Sequence, residues 1–91
     1  MVFRAVGLKS WVTYMVRCSD GTLYTGVTND IEKRVKTHNE GKGAKYTRSQ
    51  LPVTLVYMET HCDRSAAQRA EAALKGLKRA EKIEMIGEDN D

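Results

Sequence analysis

The chain has 91 residues and a mass of 10.2 kDa, with 41% apolar residues, 30% charged residues and a formal net charge of +3. This length supports one small folded core and excludes a multidomain protein. One proline and seven glycines exclude collagen-like and proline-rich chains. The apolar runs are far shorter than the roughly 20 residues of a membrane span. Arg4 and Lys9 interrupt the first segment, so we expect no secretory signal and predict a cytoplasmic protein.

Two segments rich in β-branched and aromatic residues, 11–18 and 22–28, flank a Ser-Asp-Gly turn at 19–21 and predict a β-hairpin. A two-residue turn pairs positions whose numbers sum to 41, which places Tyr14 and Tyr24 on opposite faces. A three-residue turn with its glycine left-handed pairs positions that sum to 40 and places both tyrosines on one face. If the two tyrosines serve one site, the turn has three residues.

The next segment predicts a helix from about 30 to 40, which Thr28 or Asn29 can cap and Gly41 ends. The stretch that follows, 41–52, is basic and predicts a mobile loop.

A third strand is predicted at 53–61, where β-branched and apolar residues return. Asp63 or Ser65 can cap a second helix that runs to about residue 75, and a last short helix spans about 79–86. The order ββαβαα predicts an α+β fold on a small antiparallel sheet. We divide the chain into an N-terminal extension at 1–9, one domain at 10–86 and an acidic tail at 87–91.

The inward stripe of the first predicted helix contains two polar residues, Arg34 and His38, beside Ile31 and Val35. Arginine rarely occupies a core-facing position without a partner, because removing its hydration costs several kcal/mol. Residues four apart lie side by side on a helix, so Arg34 and His38 can face one site. The alternative is an arginine that extends to the sheet edge and a half-buried structural histidine.

The second helix carries Glu71 inside an otherwise apolar stripe. A carboxylate there needs a cation, which can be Arg34, a lysine or a hard metal ion such as Mg²⁺. The alternative is a salt-bridged residue at the margin of the stripe. Gly26 lies in the middle of a strand, where glycine indicates a close approach of the backbone and can clear space for a ligand beside Tyr24.

Positive charge is concentrated in segments 31–50 and 64–82, as expected of a chain that contacts a phosphate backbone. Tyr46 lies among basic residues, which suits stacking on a base beside the backbone. The candidate nucleic-acid contacts are Lys42, Lys45, Tyr46 and Arg48. A solvated lysine-rich face is the alternative.

Taken together, these residues resemble the GIY-YIG nuclease superfamily, most closely its small stand-alone members of the UPF0213 type. The resemblance covers about residues 10 to 86. The first motif has Val12 and Thr13 where the family name has Gly and Ile, and the second keeps Tyr24 and Gly26. The stretch HNEGKGAKYTR is also similar to this subgroup. The matching positions, in order, are Tyr14, Tyr24, Gly26, Arg34, His38 and Glu71.

The resemblance implies a three-stranded antiparallel sheet with flanking helices, and cleavage of DNA phosphodiester bonds with one divalent metal, Mg²⁺ or Mn²⁺. Glu71 would hold the metal, and Arg34 would bind the scissile phosphate. Tyr14 and Tyr24 would position or deprotonate the attacking water. Tyrosine is a weak base at its ordinary pKa, so His38 is a rival general base.

We therefore predict a metal-dependent endonuclease that acts on branched, nicked or damaged DNA in repair or recombination. Its DNA contacts would be selective for structure rather than sequence, with targeting supplied by a protein partner. The first alternative is a nucleic-acid-binding module with weak or lost catalysis. The second is a small adaptor whose basic surface meets an acidic protein.

Overall fold

The computed structural model describes residues 10–48 and 50–87, except for the side chain of Tyr46. The predicted N-terminal extension at 1–9 and the acidic tail beyond residue 87 lie outside the described residues. The elements are β1 (Trp11–Arg17), β2 (Leu23–Thr28), α1 (Ile31–Asn39), α2 (Lys45–Arg48), β3 (Thr54–His61), α3 (Arg64–Lys75) and α4 (Arg79–Ile86). The α+β fold and the order ββαβαα are confirmed. The only departure in the described part is α2, a four-residue helical turn where the sequence predicts a mobile loop.

The sheet has three antiparallel strands in the order β2-β1-β3, so β1 is central. Opposite β3, the register of β1 shifts between Met15 and Val16. Five consecutive residues of β1, from Val12 to Val16, are buried. Successive strand residues point to opposite faces, so burial of all five shows that both faces of β1 are covered.

Helices cover the two faces through different contacts. On the face that carries Tyr14, the core of β1 packs against Ile31 and Val35 of α1. On the opposite face, the Thr13 hydroxyl donates a 2.8 Å hydrogen bond to the carbonyl of Ala67 in α3. The sheet therefore lies between α1 and α3.

The hairpin has the three-residue turn. Tyr14 pairs with Gly26 and Val16 with Tyr24, which is the register of positions that sum to 40. Gly21 has a φ of +90°, and its N–H donates a 2.9 Å hydrogen bond to the carbonyl of Cys18. Directly opposed residues share a face, so Tyr14 and Tyr24 lie on the same face of the sheet, as a shared site requires.

The helix caps differ in part from the sequence prediction. Asp30 caps α1 by accepting from the N–H of Lys33, whereas the hydroxyl of Thr28 accepts from the N–H of Asp30 in the preceding turn. Asp63 caps α3, as one of the two predicted alternatives, through a 2.8 Å hydrogen bond from the N–H of Ala66. The other alternative, Ser65, lies inside α3, where its hydroxyl accepts a 2.8 Å hydrogen bond from Arg69.

Candidate active site

The site begins on the hairpin, where Tyr14 and Tyr24 share a face. The ring of His38, from the last turn of α1, contacts both tyrosines edge to face, with ring centroids 6.1 Å from Tyr14 and 5.5 Å from Tyr24. Aromatic pairs favour this geometry because the ring edge is positive and the face negative. One turn before His38, Arg34 reaches the same place, so the structure brings together all four residues expected at one site.

The Tyr14 hydroxyl is the centre of the site. Its oxygen accepts a 3.3 Å hydrogen bond from Nε of Arg34 and lies 3.0 Å from Nε2 of His38. Residues four apart on a helix project from the same side, and this is why Arg34 and His38 converge on one phenol. Arg34 therefore has a partner for its inward position, namely a buried hydroxyl.

The direction of the hydrogen bonds follows from Thr47, in α2. Its hydroxyl donates to the carbonyl of Ala44 at 3.0 Å and lies 2.9 Å from Nδ1 of His38. A hydroxyl has one hydrogen and a carbonyl can only accept, so a Thr47 hydroxyl that donates to Ala44 accepts from Nδ1–H of His38. In a neutral imidazole the other nitrogen then accepts, and Nε2 receives the O–H of Tyr14. The chain of donors runs from Arg34 through Tyr14 and His38 to Thr47.

The protonation states agree with this chain. Burial raises the pKa of Tyr14, and the hydrogen bond and charge of Arg34 offset this rise only in part. Burial lowers the pKa of His38, and the nearby charge of Arg34 lowers it further. The hydrogen bond to Tyr14 raises the pKa of Arg34, against the effect of its own burial. At neutral pH the site therefore holds a neutral phenol, a neutral imidazole and a guanidinium cation.

Exposure divides the site into an inner and an outer part. Tyr14 and His38 have 0% relative exposure, so they form the inner part. Tyr24, Arg34 and Glu71 are half-buried and form the outer part, which solvent can reach. A substrate that approaches from solvent therefore meets the outer three residues first.

Gly26 allows the backbone of β2 to lie against the Tyr14 ring. A Cβ atom at this position would lie 2.5 Å from the Tyr14 hydroxyl oxygen and 2.7 Å from the ring carbon that carries it. The predicted close approach is confirmed, but the interpretation that it clears space for a ligand is wrong. The space beside Gly26 is filled by Tyr14, which pairs with it across the two strands.

Glu71 lies within electrostatic range of the Tyr14 hydroxyl, although no direct hydrogen bond joins them in the described structure. Its side chain is 24% exposed, and one carboxylate oxygen lies 3.2 Å from Nζ of Lys75. The cation that the sequence predicts beside this carboxylate is therefore a lysine. Lys75 is long and 56% exposed, so it can leave the carboxylate without disturbing the core.

A single carboxylate suits only certain metals. Among the described residues, no group of three or more histidines, cysteines, aspartates or glutamates lies together. That part of the chain therefore offers no cluster of three or more such side chains to a metal ion. Mg²⁺ commonly uses one or two carboxylates and completes its shell with water and substrate phosphate, so Glu71 fits this mode of binding.

The predicted DNA contacts lie beyond α1. Lys42, Lys45 and Arg48 are all exposed. The side chain of Tyr46 lies outside the described part of the structure. Lys45 and Arg48 flank Thr47, so the basic surface and the hydrogen-bond partner of His38 belong to one short helix.

Sequence patterns miss three residues that shape the site. Thr47 and Gly43 contact His38, and the Asn39 side chain forms two hydrogen bonds with the backbone of Val53, at 2.7 and 3.1 Å. All three lie in or beside the stretch HNEGKGAKYTR, and its similarity to the UPF0213 type is the signal that could have found them.

Comparison with known proteins decides the family. A family model described as the GIY-YIG catalytic domain matches residues 10–84. The chain belongs to the GIY-YIG family. It is 58% identical over 73 residues to a UPF0213 protein of Bacillus cereus, covering 80% of this chain and 76% of that protein. A UPF0213 protein of Streptococcus agalactiae is 53% identical over 73 residues, covering 80% and 83%.

Two solved structures resemble this fold. The solution NMR structure of a UPF0213 protein from Bacillus halodurans is 38% identical, with a TM-score of 0.56 and coverage of 86% of this chain and 83% of that one. A protein from E. faecalis is 39% identical, with a TM-score of 0.60 and coverage of 92% and 94%.

Membership in the GIY-YIG family implies a nuclease domain with DNA as its substrate. The names of the UPF0213 relatives specify no substrate, metal or pathway. In the described residues, no helix is both long enough and apolar enough to cross a membrane.

Proposed function

We propose that this protein is a metal-dependent endonuclease that cleaves DNA phosphodiester bonds at branched, nicked or damaged sites. The observation that carries the proposal is the joined set Arg34–Tyr14–His38, with half-buried Tyr24 in ring contact with His38 and half-buried Glu71 of α3 within electrostatic range of Tyr14. A cation, a carboxylate and a phenol at one partly exposed place suit attack by water on a phosphodiester.

Arg34 would bind the scissile phosphate. Its Nε is engaged by Tyr14, which fixes the plane of the guanidinium and leaves the two terminal nitrogens to form a bidentate pair with phosphate oxygens. Charge that develops on those oxygens in the transition state is stabilised most by a donor that is already oriented. Tyr14 supplies that orientation.

Glu71 would hold one divalent metal, Mg²⁺ or Mn²⁺, after Lys75 moves away. When bound, the metal would act as a Lewis acid toward the phosphate and its leaving oxygen. The rest of its shell would come from water and substrate, because the described residues hold no group of three or more histidine, cysteine, aspartate or glutamate side chains.

Tyr24 is the tyrosine placed to position the attacking water, since it is half-buried whereas Tyr14 is fully buried. His38 is also fully buried and its Nε2 is engaged by Tyr14, so it would receive a proton through the Tyr14 hydroxyl. In that transfer, the phenol proton would move to Nε2, and the Tyr14 oxygen would take a proton from a water that enters the site with the substrate. The two candidate bases would thus act in series.

Lys42, Lys45 and Arg48 would contact the phosphate backbone, together with basic residues of α3 and α4. Such contacts position DNA without reading its sequence and weaken steeply with salt. Preference for branched, nicked or damaged DNA, and a protein partner that directs the enzyme to its site, belong to this proposal.

The test is cleavage of nicked, flapped and branched DNA in Mg²⁺ or Mn²⁺ by the wild type and by Glu71→Gln. We expect cleavage that EDTA and Glu71→Gln both abolish. Glu84→Gln is the matched control, because it makes the same chemical change at an exposed position of α4. Equal cleavage by wild type and Glu71→Gln would refute the role of Glu71.

The full burial of Tyr14 and His38 also favours a second candidate, a nucleic-acid-binding module in which these residues are structural. The same experiment separates the two functions. Salt-sensitive DNA binding without metal-dependent cleavage would support the binding module and reject the nuclease.

A further inference from the structure

The segment after α1 folds back onto His38. Gly43 lies so close that a Cβ atom there would be 2.9 Å from Cγ of His38 and 3.0 Å from its Cα, and closer still to Nδ1. Four residues later, the Thr47 hydroxyl lies 2.9 Å from Nδ1. His38 and Thr47 both have 0% relative exposure. The imidazole is thus enclosed by tyrosines on one side and by segment 43–47 on the other.

The two contacts of the Thr47 hydroxyl, 3.0 Å to the Ala44 carbonyl and 2.9 Å to Nδ1, link the direction of its hydrogen to the tautomer of His38. The hydroxyl donates to the Ala44 carbonyl, within the same turn, so only its oxygen is available to His38. The other tautomer would place a hydrogen on Nε2, facing the Tyr14 oxygen. That oxygen already accepts from Arg34, and the phenol hydrogen would then lose its acceptor in a buried place.

We propose that Thr47 is a positioning residue that holds His38 in the Nδ1–H tautomer and thereby keeps Nε2 as the acceptor for Tyr14. Because Lys45 and Arg48 lie on the same helical turn as Thr47, this hydrogen bond would connect the proposed DNA-binding surface to the inner part of the site. The catalytic consequence rests on the proposed nuclease function. The tautomer itself does not.

The central experiment compares Thr47→Val, which keeps the shape and removes the hydroxyl, with Thr47→Ser, which retains it. Long-range ¹⁵N–¹H correlation spectra of the imidazole distinguish the two tautomers directly. We expect the Nδ1–H signature in the wild type and in Thr47→Ser, and loss of its dominance in Thr47→Val. Thr60→Val, the same change at an exposed position of β3, is the matched control.

Cleavage kinetics add a readout that loss of folding alone would not produce. We expect Thr47→Val to lower kcat about 10- to 100-fold with little change in KM, by analogy with the loss of an orienting hydrogen bond to a metal-ligating histidine. Thr47→Ser should restore kcat. If Thr47→Val fails to fold, the wild type and Thr47→Ser still decide the tautomer.

A dominant Nε2–H signature in the wild type, or an unchanged Nδ1–H signature in folded Thr47→Val, would overturn the proposal. So would wild-type kcat in a Thr47→Val protein whose tautomer has shifted. If no variant cleaves DNA but the tautomer shifts as expected, the nuclease function fails and the positioning of His38 by Thr47 stands.

Discussion

Gly26→Ala tests whether the close approach of β2 to Tyr14 holds the site together. The added Cβ would lie 2.5, 2.7 and 3.0 Å from three atoms of the Tyr14 side chain, whereas ordinary contacts begin at 3.4 Å. The hydroxyl must therefore retreat by about 0.9 Å. Tyr14 has no exposed surface and forms hydrogen bonds of 3.0 and 3.3 Å, so it has little room to move.

The expected cost follows from three contributions. Overpacking a well-filled core costs about 1–3 kcal/mol. Loss of the hydrogen bond from charged Arg34 costs about 1.5–3 kcal/mol. Alanine also reduces the freedom of the unfolded chain, which returns about 0.4–1 kcal/mol. We expect Gly26→Ala to lower the free energy of unfolding by about 1.5–5.6 kcal/mol and to reduce DNA cleavage at temperatures where the variant remains folded.

Urea denaturation followed by circular dichroism measures the change in free energy. Gly76→Ala is the control, because its Cβ would meet nothing closer than 3.6 Å and its φ of −83° suits any residue. In a double-mutant cycle, Tyr14→Phe removes the nearest clashing atom, so we expect a coupling of at least about 1 kcal/mol with Gly26→Ala. Wild-type stability in Gly26→Ala, or strict additivity with Tyr14→Phe, would refute the reasoning.

Two further predictions concern the titrating groups. Because the pKa of His38 in the folded protein lies below its ordinary value of 6.5, the unfolded chain binds a proton first as the pH falls. Below about pH 6.5 we expect the free energy of unfolding of the wild type to fall, by at most about 1.4 kcal/mol per pH unit, until the pKa of His38 in the folded protein is reached. His38→Gln should lack this dependence. If urea denaturation from pH 5 to 8 gives the same pH dependence for both proteins, the prediction is wrong. Lys75→Gln removes the ammonium group that pairs with Glu71, so calorimetry should show that Mn²⁺ binds up to about fivefold more tightly to this variant than to the wild type. Lys36→Gln, which breaks the exposed pair with Glu40, is the control. Equal Mn²⁺ affinities of Lys75→Gln and the wild type would exclude competition by Lys75.

The sequence predicts well which site residues lie on the same side of a helix or strand, because the helical and strand repeats determine the direction of each side chain. Spacing of four residues on a helix places Arg34 and His38 together, and the structure finds them on one hydroxyl. The turn is less certain, since a Ser-Asp-Gly segment suits both loop lengths and a change of one residue reverses every side chain of the strand. The pairing of Cys18 with Thr22 decides it, and that pairing depends on the whole sheet.

Other parts of the site have no periodic signal. Thr47 contacts His38 across nine residues of loop and turn, and a threonine in a basic segment is unremarkable in composition. The role of Thr47 can be recognised only in the folded structure, where segment 43–47 packs back against His38 of α1. Glu71 is similar, because its place on the apolar stripe is predicted but its partner is not. The sequence leaves several cations open as the partner, and the structure shows Lys75.

Because β1 is the central strand, the elements that carry the site are expected to differ in how fast their backbone amides exchange with solvent. Amide hydrogens of a central strand buried on both faces exchange with solvent only through large-scale unfolding, whereas edge strands and short helical turns open locally at lower free energy. Tyr14 therefore belongs to the slowest-exchanging strand of the described sheet, while Tyr24 lies on an edge strand and Thr47 on a four-residue turn. We therefore expect the inner phenol to stay in place while the edge strand and the short helical turn beside it open locally.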